Sequence, residues 1–557
     1  MAAFVSIGES NFRNLREAGT YYVDKTEIIY ELVENTKDTV SLFTRPRRFG
    51  KTLMMSMFRD FFDIKRDSRK DFEGLKITEH QEFSEKWMNK YPVIFATFKE
   101  AESIHFDVAY DKLKGSISDI CLDMAEDVKK SQINEVDRNV FDRLMSCTES
   151  DAELQKSLKI LSRILYHIYG RKVIIIIDEY DVPLANAQEM DDGENGFYRS
   201  MLDVIRGIMS NALKDNEYLE FAVITGCLRI SKESVFTGTN NFASYSALDE
   251  RFSSYFGFTD DEVHTMLEAA GFADAYDTIR EWYDGYVFGS SYVYCPWDVT
   301  RYISDLAYDP KTPPQNYWKN TSHNSVLLSF AKRTDFNVKG KFERLLNGGT
   351  VEQTITDVMT YDAMHESEDN LWSVLLMTGY VTKADPNERG DTVHLKIPNR
   401  EVKSIFEDTV VRLFRETLDT STQRELMAAL WNGDAKKAEE IISGLLFQTI
   451  SYNDYHEDYY HAFLAGLFVG IGYEVESNRE HGIGRTDIVI FDSKNRRAMI
   501  IEAKRSVKES DMEKDCKAAT DQILREKYAK SLTGYRQIRC YGIAFFQKDA
   551  KVMELKS

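Results

Sequence analysis

Three short runs in this chain carry the residue types needed for phosphate chemistry. The first is Gly50-Lys51-Thr52, inside SLFTRPRRFGKTLMMSMFRDFF at 41–62. A glycine, an ammonium and a hydroxyl in that order close a phosphate-cradling loop. Lys51 would bridge the β- and γ-phosphates of a nucleotide, and the Thr52 hydroxyl would ligate Mg2+. The second run, KVIIIIDE at 172–179, ends an apolar stretch with two acids. Asp178 would hold the metal through water, and Glu179 would orient or activate the attacking water. The third is Asp487 with Glu502 and Lys504. An Asp and a Glu brought side by side form an oxygen cage for Mg2+. A lysine next to them can position or deprotonate a metal-bound water for attack on a phosphodiester.

Each run needs elements to position it. Residues 40–44 read as a strand feeding the loop, and 52–62 as the helix leaving it. At such a helix start, unpaired N–H groups and the dipole favour phosphate oxygens. The loop departs from the GxxxxGK[ST] pattern, because Arg45 stands at the first glycine position and Pro46 removes one N–H. Arg45, Arg47 and Arg48 either neutralise phosphates or face solvent. The nucleotide site is assigned to Arg47, Arg48, Phe49, Gly50, Lys51, Thr52, Asp178 and Thr225. The five apolar residues before Asp178 describe a buried strand, and ligands sit at the carboxyl ends of strands in open parallel sheets. Without the loop, the same run would read as a core strand followed by capping acids. A neighbouring strand, 221–225, ends in Thr225, a candidate γ-phosphate sensor. Arg229 either reaches phosphate, in cis or across a subunit contact of a homo-oligomer, or is a surface arginine.

For the third run, 484–491, a turn at 492–497 and 498–504 read as a β-hairpin. Glu502 and Lys504, two apart, face the same way, and antiparallel pairing brings Asp487 beside Glu502. A helix at 454–470 places Glu457 and His461 on one face, with Glu457 as an additional metal ligand. A charged helix at 510–530 follows, with Gln522 turned inward. The bland alternative is a hairpin with a surface salt bridge.

Composition sets the frame. A chain of 557 residues needs two to four domains. At 43% hydrophobic and 29% charged it suits a soluble globular protein rather than a disordered one, and the alternation of strand-like and helical segments reads as α/β. No apolar run approaches a membrane span, and the start has no basic signal region, so no membrane partner or secretion is expected. Six cysteines without a CxxC suit reduced thiols in a cytoplasm and no structural zinc. The net charge of −20 opposes general nucleic-acid affinity, yet residues 478–557 hold 18 Lys and Arg against 12 Asp and Glu. That basic end is a docking surface for a polyanion, or simply an unevenly charged surface. The breaker DPKTPP at 309–314 separates an α/β zone, 1–308, from a mostly helical zone, 317–444, and a final α/β zone, 452–557.

Longer stretches then resemble a bacterial and archaeal family. YYVDKTEIIYEL (21–32), FTRPRRFGKT (43–52), IIIIDEYDVPL (174–184), ITGCLRISKESVFTGTNN (224–241), YFGFTDDEV (255–263) and WYDGYVFG (282–289) resemble its AAA-ATPase-like domain. EDYYHAFLAGL (457–467), SNREHGIGRTDIVI (477–490) and IIEAKRS (500–506) resemble the PD-(D/E)XK nuclease-superfamily domain that travels with it. The resemblance implies a P-loop NTPase parallel sheet, a helical middle and a restriction-endonuclease-like α/β domain. It also implies ATP binding and a nuclease fold in one polypeptide, and it makes Arg45 part of the family's own RPRRFGK loop. Members are suspected of roles in mobile elements or defence against phage. The favoured expectation is an ATP-regulated, Mg2+-dependent nuclease with DNA as its partner. The alternatives are an ATP-switched module that binds nucleic acid or protein without cutting, and an ATPase motor with a degenerate tail.

Overall fold

The computed structural model describes residues 5–36, 38–190, 196–230, 236, 242–318, 327, 338–356, 358–359, 366–417, 420–449, 460, 463–464, 467–468, 473–481, 484–528, 532 and 534–555. They form two compact units. One comprises Met1–Tyr317 with Glu352–Asn399, the other Trp318–Val351 with Arg400–Ser557. The middle zone is thus shared between them, with 352–399 packed into the first. There the Thr382 hydroxyl accepts the Val287 N–H at 2.8 Å. Gly285, at φ 103°, lies so near Pro398 that a Cβ would meet the carbonyl oxygen at 2.0 Å.

The first unit is built on a fully parallel sheet of five strands: β1 (Val40–Thr44), β2 (Val93–Thr97), β3 (Val173–Asp178), β4 (Leu219–Gly226) and β5 (Phe242–Tyr245). Their order is β2-β3-β4-β1-β5. Helix α1 (Lys51–Phe62) follows β1, and α2 (Asp151–Tyr169) delivers the chain to β3. A Ser150–Glu153 capping box starts α2 and left-handed Gly170 stops it. Every residue of β1 and β3 is buried, as continuous apolar runs in a parallel sheet require. The register pairs Thr44 with Gly226 and Ile177 with Ile224. The carboxyl ends of β1, β4 and β3 therefore share one edge, although residues 44, 178 and 225 are far apart in sequence.

The second unit holds a mixed sheet of β6 (Glu474–His481), β7 (Gly484–Asp492), β8 (Arg497–Arg505), β9 (Gln537–Phe546) and β10 (Asp549–Glu554), in that order. Only β8 and β9 run parallel. Helix α3 (Met512–Arg525) makes the crossover between them, as parallel neighbours require. It buries Met512, Cys516, Ala519, Thr520 and Ile523 as one stripe. Gly542 of β9 is needed here, because a Cβ would lie 2.4 Å from the Cys516 carbonyl oxygen. The β7–β8 turn is tied by the Asp492 carboxylate, which accepts from Asn495 and from Arg497 Nε. Among the described residues no helix is long and apolar enough to cross a membrane.

Candidate active sites

The loop after β1 is shaped by two left-handed residues, Arg48 at φ 72° and Gly50 at φ 79°. Gly50 caps α1, so the N-terminus of α1 opens onto the loop. Lys51 is 4% exposed. Its Nζ donates to the carbonyls of Arg45 (3.0 Å) and Pro46 (2.9 Å) and lies 3.7 Å from Cys227 Sγ. The ammonium is thus folded into the curl of its own loop, at the strand ends. Thr52, in the first turn of α1, is partly exposed.

The arginines of this loop divide. Arg45 neither neutralises phosphate nor faces solvent, which corrects both expectations for it. It is 0% exposed, and its guanidinium donates to the carbonyls of Thr44, Tyr245 and Phe252. It also lies 5.0 Å and 5.4 Å from the ring centroids of Phe256 and Phe288. Burial pushes its pKa down to about 9, still above neutral, so the cation persists and is solvated by carbonyl dipoles and aromatic faces. Arg48 donates to the Tyr317 carbonyl at 3.0 Å and sits over Trp297, while Arg47 is exposed. The Phe49 ring is buried against Tyr286 and Phe288, so only its backbone is available to a nucleotide.

The acids stand at the end of β3. Asp178 is fully buried, and its Oδ1 accepts the Thr225 hydroxyl at 2.7 Å. Its Oδ2 is buried with no hydrogen-bond partner among the described residues. An orphaned carboxylate oxygen at this edge fits the hydration shell of Mg2+. Glu179 takes φ 53°, an unusual conformation for a glutamate, and its N–H donates to Thr225 Oγ1 at 3.3 Å. Burial raises its carboxyl above the ordinary glutamate range, with Lys51 opposing and Asp178 adding to the shift. That is the direction suited to accepting a proton near neutral pH. Arg229 pairs in parallel with Val358, and its guanidinium is 6.0 Å from the Phe242 ring centroid, so it is not a free surface arginine. Two residues escaped the sequence reading. Asp181 Oδ2 accepts the N–H groups of Cys227 and Leu228, both at 2.9 Å, and the buried Tyr180 hydroxyl donates to the Leu228 carbonyl. The signal was present as DEYD, but only the first two letters match a known acid pair.

In the second unit, pairing of Ile488 with Ile501 brings Asp487 and Glu502 to adjacent strands at one level. Both are shielded, at 8% and 1% exposure. Asp487 Oδ2 accepts the Ala503 N–H at 2.7 Å, so the aspartate reaches across to β8 one residue past Glu502. Glu502 Oε1 accepts the Gln522 side-chain amide from α3. Lys504, next on the same side of β8, is partly exposed. Tyr528, buried just beyond α3, completes the cluster. Burial raises its phenol pKa, a hydrogen bond with Gln522 opposes this, and Glu502 and Asp487 add to it. Glu457 and His461 lie outside the described residues. Among those described, no three His, Cys, Asp or Glu side chains converge as a metal cluster. The donor set is two buried carboxylates, hard oxygen ligands that suit Mg2+ completed by water.

Residues 6–236 match the family described as "Predicted AAA-ATPase", and residues 455–555 match the PD-(D/E)XK nuclease superfamily. The "Uncharacterized protein in vnfD 5'region" of Azotobacter chroococcum mcd 1 is 24% identical over 501 residues, covering 87% of this chain and 86% of its own.

Proposed function

We propose that this chain, which joins a predicted AAA-ATPase domain to a PD-(D/E)XK nuclease-superfamily domain, hydrolyses ATP and uses that cycle to license Mg2+-dependent cleavage of DNA. The observation that carries the reading is the pairing of two buried carboxylates, Asp487 and Glu502, on adjacent strands with Lys504 beside them.

In the first unit Lys51 and the N–H groups at the start of α1 receive the β- and γ-phosphates. Thr52 directly and Asp178 through water would hold Mg2+, which when bound would neutralise charge on the phosphate oxygens. Thr225 orients Asp178 and senses the γ-phosphate, and Glu179 accepts a proton from the attacking water. In the second unit Asp487 and Glu502 would hold Mg2+, with Glu457 as a further ligand, and Lys504 would position the water for attack on phosphorus. The Gln522 amide fixes Glu502 and the Ala503 N–H fixes Asp487. DNA approaches the basic segment 478–557, so its binding weakens steeply with salt. We place the protein in the cytoplasm, in defence or mobile-element biology, with homo-oligomers as one form in which Arg229 could act on a neighbour's nucleotide.

The test is cleavage of supercoiled, linear and single-stranded DNA, and of RNA, with and without Mg2+ and ATP. Metal-dependent cutting abolished by Asp487→Ala and by Lys504→Ala supports the reading. Nucleotide-sensitive binding with no cutting under any divalent ion would replace it with a non-cleaving, ATP-switched binding module.

A further inference from the structure

We propose that Asp181 is a positioning residue for nucleotide turnover, clamping the segment after β4 against the loop lysine; this rests on the ATP reading above. Residues 178–181 and 225–228 are zipped together. The Thr225 hydroxyl donates to Asp178 Oδ1 (2.7 Å), and the Glu179 N–H to Thr225 Oγ1 (3.3 Å). The Tyr180 N–H donates to the Thr225 carbonyl (3.0 Å), and the Tyr180 hydroxyl to the Leu228 carbonyl (2.8 Å). Asp181 Oδ2 closes the zip by accepting two successive N–H groups, those of Cys227 and Leu228. The approach is close enough to dictate Gly226, where a Cβ would meet the Tyr180 ring at 2.6 Å and Asp181 Oδ1 at 2.7 Å.

What this clamp holds is chemical. Cys227 is kept 3.7 Å from the Lys51 ammonium. Thr225 is kept as a donor to one oxygen of Asp178, which leaves the other for a metal's water. Glu179 is kept at φ 53°, a conformation that persists only when its surroundings over-determine it. A buried carboxylate is costly to desolvate, and charge-assisted bonds to two N–H groups offset that cost while fixing direction. Lys51 donates to the Arg45 and Pro46 carbonyls, both in its own loop and outside the segment that Asp181 clamps. Loss of the clamp therefore impairs turnover more than nucleotide binding.

The test compares the full chain with Asp181→Ala and Asp181→Asn. The amide oxygen of asparagine still accepts from both N–H groups, whereas alanine cannot. Modification of Cys227 by N-ethylmaleimide without nucleotide, followed by peptide mass spectrometry, should be about tenfold faster in the alanine variant and near wild type in the asparagine variant. ATP turnover should follow the same order. We expect kcat to fall about tenfold in Asp181→Ala with KM within about threefold, and to recover in Asp181→Asn. Unchanged Cys227 reactivity in Asp181→Ala, unchanged kcat, or an asparagine variant as impaired as alanine overturns the proposal. If the wild-type chain neither binds nor hydrolyses ATP, the functional reading fails, while the maleimide comparison still decides whether Asp181 clamps the loop.

Discussion

The two acid sites hold their carboxylates by opposite means. Asp178 stands at the end of a fully buried parallel strand and is oriented by one hydroxyl from the neighbouring strand, with an oxygen left over. Residues 51, 178 and 225, far apart in sequence, come to one edge through the sheet order β2-β3-β4-β1-β5. Asp487 and Glu502 lie 15 residues apart on one hairpin and are fixed by a backbone N–H and a helix glutamine. A distributed site of the first kind can be reshaped by shifting one strand end, which suits a switch. A local site of the second kind keeps its geometry while the rest of the chain moves, which suits a cutter.

The comparison can be broken at its strongest point first. Asp487→Ala should cut DNA cleavage by about a thousandfold, because one of the two buried carboxylates described at this site is lost, while circular dichroism stays native. Retained cleavage would dissolve the local site. Next, Lys51→Ala should weaken ATP binding by about a hundredfold in a calorimetric titration, and unchanged affinity would remove the loop from the distributed site. Gln522→Ala should lower cleavage by about tenfold with metal affinity falling alongside it; equal cleavage would mean that Glu502 is held by the hairpin alone. The smallest change is in stability rather than activity. Arg45→Ala should cost the first unit about 2–4 kcal/mol in denaturant unfolding, since three carbonyls and two aromatic faces lose their cation. An unchanged unfolding midpoint would remove Arg45 from the core of the first unit.

The elements that carry the candidate residues were more legible in the sequence than the contacts that hold them. Apolar runs ending in acids gave β3, and a polar break between two such runs gave the β7–β8 hairpin, each within a residue or two of its observed ends. The signal there is local, because strand period and turn residues sit next to each other in the chain. Arg45 was not legible. RPRR reads as a solvated or phosphate-facing cluster, and only Tyr245, Phe252, Phe256 and Phe288, about 200 or more residues away, reveal it as a core cation. Strand β5 is four residues, FASY, too short to show a period, and it forms by adding to β1. Tyr528 lies beyond the end of α3, in no motif of its own, and joins the acids through Gln522. The return of 352–399 to the first unit depends on contacts such as Gly285 against Pro398, which no local pattern encodes.

The most direct measurement is a nuclease time course on plasmid DNA with the full-length chain, Mg2+ and either ATP or no nucleotide, run beside Lys51→Ala and Lys504→Ala. We expect ATP to change the wild-type rate severalfold, Lys51→Ala to cut at one rate regardless of nucleotide, and Lys504→Ala not to cut. A wild-type chain that leaves DNA intact in every condition, or that cuts equally with and without ATP, contradicts the coupling of the two sites.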